Sequence, residues 1–243
     1  VASGGTIKQI RYGRIIKTYR NNLFNDLHSI SKKRNGNILI ASTGTDSILE
    51  QNTSELGENV WVWKATENGY ARSKDRKIRK ISASFDYSRT ITSTTEHTTH
   101  VNSSLELDSK SVLATLFHQG QLIRINKKNG KTTVLLENLK SPHSIRKIKK
   151  GYTLCDTRSN KVLFLNNNFE IKKEIKSNFN WVQDAILLFD QKLLVADSNN
   201  NRLVLIDKKG EFVGEHKWDK DSMKIACFER ITSEQVKIIF KNC

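Results

Sequence analysis

Proline is almost absent from this chain: Pro142 stands alone among 243 residues, beside 12 glycines. That scarcity excludes a disordered, linker-rich chain. Cysteine is sparse as well. Cys155, Cys227 and Cys243 show no CxxC spacing, which argues against a disulfide framework and leans towards a reducing compartment such as the cytoplasm. Cys155 (in YTLCD) and Cys227 (in IACF) lie in apolar stretches and read as small buried hydrophobes. No run approaches the roughly 18 consecutive apolar residues of a membrane-spanning helix. The opening residues VASGGTIKQ carry neither region of a signal peptide. GxSxG, P-loop, GxGxxG and HExxH motifs are all missing, which disfavours a serine hydrolase, a nucleotide-binding enzyme and a zincin.

Hydrophobic residues make up 37 % and aromatics 8 %, enough for a sizeable core. Lys and Arg number 41 against 25 Asp and Glu, a formal charge of +16. Such a balance favours anionic partners: nucleic acid, anionic lipid or glycan, or a small acidic substrate. The lysines are scattered through turns (Lys127-Lys128, Lys149-Lys150, Lys172-Lys173, Lys208-Lys209) and do not require a single basic face.

The cleanest pattern runs from Trp181 to Trp218. Four short apolar runs, AILLF, KLLVAD, RLVLID and EFVGEH, alternate with Asn-, Asp-, Lys- and Gly-rich turns. This reads as one up-and-down antiparallel sheet. Related units recur at 38–50, 112–125 and 152–165, with upstream strands opening at DLHSI, TTHVN, SPHSI and VQDAI. His100 to His143 spans 43 residues and His143 to Asp184 spans 41. One further period reaches SMKIACFERI (222–231) and EQVKIIF (234–240), and the N-terminus supplies TIKQI (6–10) and GRIIKTYR (13–20). The expectation is an all-β single domain over 1–243: a β-propeller of five blades, each of four antiparallel strands. The blades are 27–65, 95–139, 140–180, 181–218, and a composite of 222–243 with 6–20 that closes the ring and removes exposed edges. Residues 66–94 break the period and read as an insertion between blades one and two; a sixth blade hidden there is the alternative.

VADSNNNRLVLID, with Asp197 after the second strand and Arg202 before the third, resembles the NHL-repeat type of β-propeller. Asp156, Arg158 and Lys161 fit that pattern loosely, while Thr115 with Gln121 and Ser42 with Ser47 replace it in the earlier blades. The resemblance implies a fold that serves scaffolds, lactonases, lyases and binding modules alike.

First strands of propeller blades line the central channel, so residues in register form a ring: His28, His100, His143, Asp184 and Met223. Imidazoles with a neighbouring carboxylate suit a divalent transition metal, zinc or iron. By resemblance to NHL-like propeller lyases, His28, His100 and His143 would be the ligands. A metal-free polar site and a purely structural ring are the other readings. His97, three residues before His100, reads as an extra ligand or general base or as a solvated loop histidine. Ser42, Thr115, Asp156 and Asp197 would orient the ring or bond the following turns, and Arg158 and Arg202 would hold a ligand anion or pair with Asp156 and Asp197. Trp61 and Trp63 alternate on one strand, and Trp181 and Trp218 read as wedges between blades. The functional expectation is a monomeric metal-dependent lyase or hydrolase acting on a small anionic molecule. A non-enzymatic propeller that binds a protein or glycan, and a basic nucleic-acid scaffold, are the alternatives.

Overall fold

The structure is a computed structural model that describes residues 2–188, 190–219 and 224–229. The chain forms two compact units, Val1–Val101 with Glu229–Cys243, and Asn102–Phe228.

Strands form where β-branched and aliphatic residues run or alternate, and the polar clusters between them turn the chain. Strands β1 (Ala2–Ser3), β2 (Thr6–Arg11) and β3 (Arg14–Tyr19) make a three-stranded sheet. Next come β4 (Leu27–Lys32), β5 (Ile38–Ser42), β6 (Ser47–Gln51) and β7 (Asn59–Lys64), an antiparallel sheet in sequence order. Three more sheets repeat that order. They are β8 (Val101–Asp108) to β11 (Thr132–Leu136), β12 (Pro142–Ile148) to β15 (Ile171–Lys176), and β16 (Val182–Leu187) to β19 (Phe212–Lys217).

Four four-stranded blades therefore replace the expected five or six. Strand β2 pairs with β1 and β3 in a sheet of its own, because Ala2–Ser3 folds back onto Thr6–Ile7. Residues 224–229 carry no strand, and the rest of the proposed C-terminal half-blade lies outside the described residues. The alternative sixth blade is absent too. Residues 66–94 hold short 3-10 turns and a single bridge, Arg72 to Ile78, since their Ser, Thr, Lys and Arg offer no alternating apolar face. The segment is still anchored in its unit. Ile81 is buried with Ile7, Leu23, Phe24, Leu27, Ile40 and Leu49, where each fully buried aliphatic contributes about 1.5–3 kcal/mol.

The blades share a local grammar. A left-handed residue precedes each first strand: Asp26 (φ 49°), His100 (φ 50°), Ser141 (φ 57°) and Trp181 (φ 69°). The turn between second and third strands ends on another: Asp46, Gly120, Asn160 or Asn201. Leu27, Pro142 and Val182 pair with Ser42, Asp156 and Asp197, and a bulge follows each of the three.

That register corrects the expected ring. His28 and His143 do hold equivalent positions, and Gln183 is the third member. His100 falls two residues earlier, level with Asp26, Ser141 and Trp181. Asp184 falls one later, level with Ser29 and Ser144. Each blade starts at its left-handed residue, and the segments that lead to it differ in length, so alignment on a shared histidine slips by one or two residues. Thr115 is displaced likewise, because it is Leu116 that pairs with Gln121 as Asp197 pairs with Arg202.

Candidate functional site

In the first unit a buried carboxylate organises a histidine cluster. Asp46 caps the Thr43–Thr45 turn with φ 48°, and its side chain is fully buried. One of its oxygens accepts the amides of Thr99 and His100, each at 2.8 Å, and the Thr99 hydroxyl at 2.8 Å. The other accepts the Thr98 amide at 2.7 Å and Arg79 Nη1 at 2.6 Å. Burial by itself would raise the Asp46 pKa. The Thr98 amide, the Arg79 charge and the Thr99 donors outweigh it, so the carboxyl lies below its usual 3.8.

This clamp sets the chain from His97 to His100 beside the start of β4. His97 Nδ1 and His100 Nδ1 are 2.6 Å apart, and the rings stack with centroids at 4.9 Å. Such a pair needs one Nδ1 to donate and the other to accept, so it shares one proton. His28 stands edge-on to His100 at 5.0 Å. Its Nε2 is 3.2 Å from Asp26 Oδ1. Burial pushes the Asp26 carboxyl up, but the hydrogen bond and charge of His28, with His97 behind, bring it below the usual value. His97 and His100 are buried, His28 is 24 % exposed at its side chain and Asp26 45 %. The outward face of the cluster is thus Asp26–His28. Sequence reasoning missed Asp26 and Asp46. Their signal was positional: each occupies a left-handed turn that Asp and Asn tolerate.

The second unit holds His143 and Asp184 apart in role. Asp184 is buried and fully engaged. Arg146 grips it through Nε at 2.8 Å and Nη2 at 2.7 Å; the Ala185 amide (2.9 Å), the Phe228 amide (3.1 Å) and the Ser144 hydroxyl complete its set. His143 Nδ1 lies 3.0 Å from the Ser141 carbonyl and 2.8 Å from Thr157 Oγ1. Thr157 gives its own proton to the Val182 carbonyl at 2.7 Å. Both neighbours of Nδ1 therefore accept, so Nδ1 carries the proton and Nε2 is the acceptor nitrogen of the neutral ring. Phe117 and Trp181 meet His143 at 5.4 and 6.1 Å, and the Arg158 guanidinium lies across both aromatic rings at 5.7 and 5.8 Å.

The remaining candidates bond backbone or pair off. Ser42 accepts the Asn25 amide, Asp156 the Lys140 amide and Asp197 the Asn180 amide, each two residues ahead of its blade's first strand. Thr115 bonds Ser103. Arg202 pairs with Asp197 and Glu215, each at 2.6 Å, whereas Arg158 makes no pair with Asp156 among the described residues. Met223 lies outside the described residues. Trp63 is buried; Trp181 and Trp218 are only half-buried, Trp218 against the exposed His216. Cys227 is exposed, in contrast to its apolar sequence setting, because residues 224–229 form no strand.

A metal ion is what the NHL-like resemblance implies. Among the described residues no group of three or more His, Cys, Asp or Glu side chains is placed to hold one. The donors present fit proton chemistry better: His97 and His100 turn their Nδ1 atoms to each other, and Arg146 occupies both Asp184 oxygens.

Repeated four-stranded up-and-down sheets with this register define a β-propeller, and solved propeller structures share the fold. A streptogramin B lyase structure is similar over 89 % of this chain and 58 % of its own, with TM-score 0.50 and 12 % identity. A protein of unknown function from Bacteroides caccae is similar over 88 % and 69 %, with TM-score 0.56 and 14 % identity. The WD40 propeller domain of Doa1 is similar over 84 % and 57 %, with TM-score 0.55 and 8 % identity. The chain spans about three fifths of the length of the streptogramin B lyase and of a virginiamycin B lyase from Staphylococcus aureus. At these identities the likeness carries the fold alone. No family model and no curated protein matches the sequence.

Proposed function

We propose that this propeller is a lyase- or hydrolase-type enzyme that acts on a small anionic molecule by general acid–base chemistry at His28. The observation that carries the reading is the Asp26–His28 dyad, 3.2 Å apart, backed by the proton-sharing His97–His100 pair. Asp26 accepts from His28 Nε2, which fixes the tautomer and leaves Nδ1 as the basic nitrogen. In an elimination, His28 Nδ1 removes the proton beside a carboxylate or carbonyl. The released electron pair forms the double bond as the leaving group departs with its bonding pair, and the imidazolium gives its proton to that leaving group, which restores the neutral base. Asp26, held below the usual carboxylate range, stays ionised and stabilises that imidazolium. His100, edge-on to His28, is in turn hydrogen-bonded to His97. The strongly basic chain, at +16, favours a substrate of negative charge. Two proteins of similar fold are lyases of streptogramin B and virginiamycin B, which is in keeping with elimination chemistry on this scaffold.

The test is a turnover screen of small acyloxy- and hydroxy-carboxylates and lactones, followed by variants. With a substrate in hand, His28→Ala is expected to lower kcat by about 10²–10⁴, the contribution of a positioned acid–base group. Asp26→Asn is expected to lower kcat, because the imidazolium formed at His28 loses its counter-charge. Unchanged kcat in His28→Ala would sink the assignment, as would failure of the whole screen.

A further inference from the structure

We propose that Arg158, Phe117 and Trp181 form a second site, in the unit Asn102–Phe228, that takes an oxyanion carried on a flat ring. The argument starts from what these positions hold in the other blades. Thr43, Thr157 and Ser198 open the turn after the second strand, and each gives its hydroxyl proton to the carbonyl that begins the next inner segment: Val101, Val182 or Ile225. Phe117 stands at the same position and forgoes that bond. Trp181 stands where the other entries carry Asp26, His100 and Ser141. Arg158 follows Thr157, where blade one has Gly44, whose missing Cβ would lie 1.7 Å from the Asn25 side chain. Three departures from the repeat thus converge. Phe117 shows ring contacts in place of that side-chain bond, and Arg158 and Trp181, which keep the backbone bonds of the repeat, turn their side chains to the same rings.

The geometry supplies recognition. Phe117 and Trp181 are half-buried with ring centroids 6.4 Å apart, tilted by 49°. Trp181 is held by its indole N–H on Gln183 at 2.7 Å, and by its backbone amide on Asn160 at 2.7 Å. His143 closes the inner side with its acceptor nitrogen defined. Arg158 is exposed and spans both rings within about 6 Å, the range of a cation–π contact. Among the described residues it has no carboxylate partner. A guanidinium held against aromatic rings keeps its N–H donors for a carboxylate or phosphate, which it can receive bidentately. The half-buried rings beside it receive the flat part of the ligand.

Binding is the readout, so the outcome does not depend on turnover at His28. Benzoate and phenyl phosphate, titrated calorimetrically, distinguish the two oxyanions. At least one is expected to bind saturably and at least about tenfold more tightly than benzyl alcohol or benzylamine, as charge-assisted bidentate contacts require. Arg158→Met, which keeps the stem, is expected to abolish that preference with unchanged thermal unfolding. Phe117→Thr restores the hydroxyl of the repeat and is expected to keep or raise stability while weakening binding. Equal affinity for benzylamine, full affinity in Arg158→Met, or no saturable binding of either anion would each overturn the site.

Discussion

Asp46 ties three consecutive backbone amides and Arg79 to one buried point, and the histidine cluster depends on it. Asp46→Asn keeps the shape but leaves Arg79 without its counter-charge and turns an acceptor into a donor. The expected cost is about 3 kcal/mol, typical of breaking a buried, hydrogen-bonded pair. The sign of the pH effect follows from the lowered carboxyl. A folded pKa below the unfolded 3.8 stabilises fully above pH ~4, and that stability is lost as pH falls through the folded value. Denaturant unfolding should show the gap between wild type and Asp46→Asn shrinking below about pH 4. A gap constant with pH would contradict the charge assignment. The cysteines give a second residue-scale expectation. Burial, and then the Asp184 charge, pushes the Cys155 thiol well above its usual range, whereas Cys227 is exposed. In the folded protein a maleimide should label Cys227 and spare Cys155 until denaturant is added. Prompt labelling of Cys155 would mean that the core of its blade opens.

At the scale of elements, the segment between blades one and two is a strap rather than a loop. Ile81 enters the core of the first unit, Arg79 pairs with Asp46, and Asn25 Nδ2 donates to the carbonyls of Tyr87 at 2.7 Å and Thr90 at 2.8 Å. Replacing 68–93 by a short Gly-Ser link removes a buried aliphatic and one partner of a buried ion pair together. Destabilisation of roughly 4–6 kcal/mol is expected, read as a lowered urea midpoint and as lost amide protection in β4 to β6. If the midpoint stayed put, the strap would be dispensable and Asp46 would have found other partners. Element positions were legible in the sequence and the histidine register was not. The period of about 40 residues was visible in alternating apolar runs and turn residues, and the four blades occupy the stretches so assigned. The left-handed residues that open each first strand, Asp26, His100, Ser141 and Trp181, share no residue type, so the start of each blade left no mark in composition.

At the scale of the molecule, a formal charge of +16 favours the approach of anions. What the sequence alone determined is the part that depends on neighbours along the chain. Apolar periodicity made strands, Asn-, Asp- and Gly-rich breaks made turns, and repetition made blades. It also placed His28 and His143 at equivalent positions, because the same local pattern precedes both. Tertiary structure decided everything that depends on residues distant in sequence. Only the fold could bring Asp46 to Thr98–His100, some 50 residues on, or set Arg146 on Asp184 and Arg158 across Phe117 and Trp181. Side-chain chemistry is written in the sequence, but whether a carboxylate meets a metal, an amide or a guanidinium depends on which strand lies beside it. Here the guanidinium of Arg146 reached Asp184, and the imidazole of His28 lies beside Asp26.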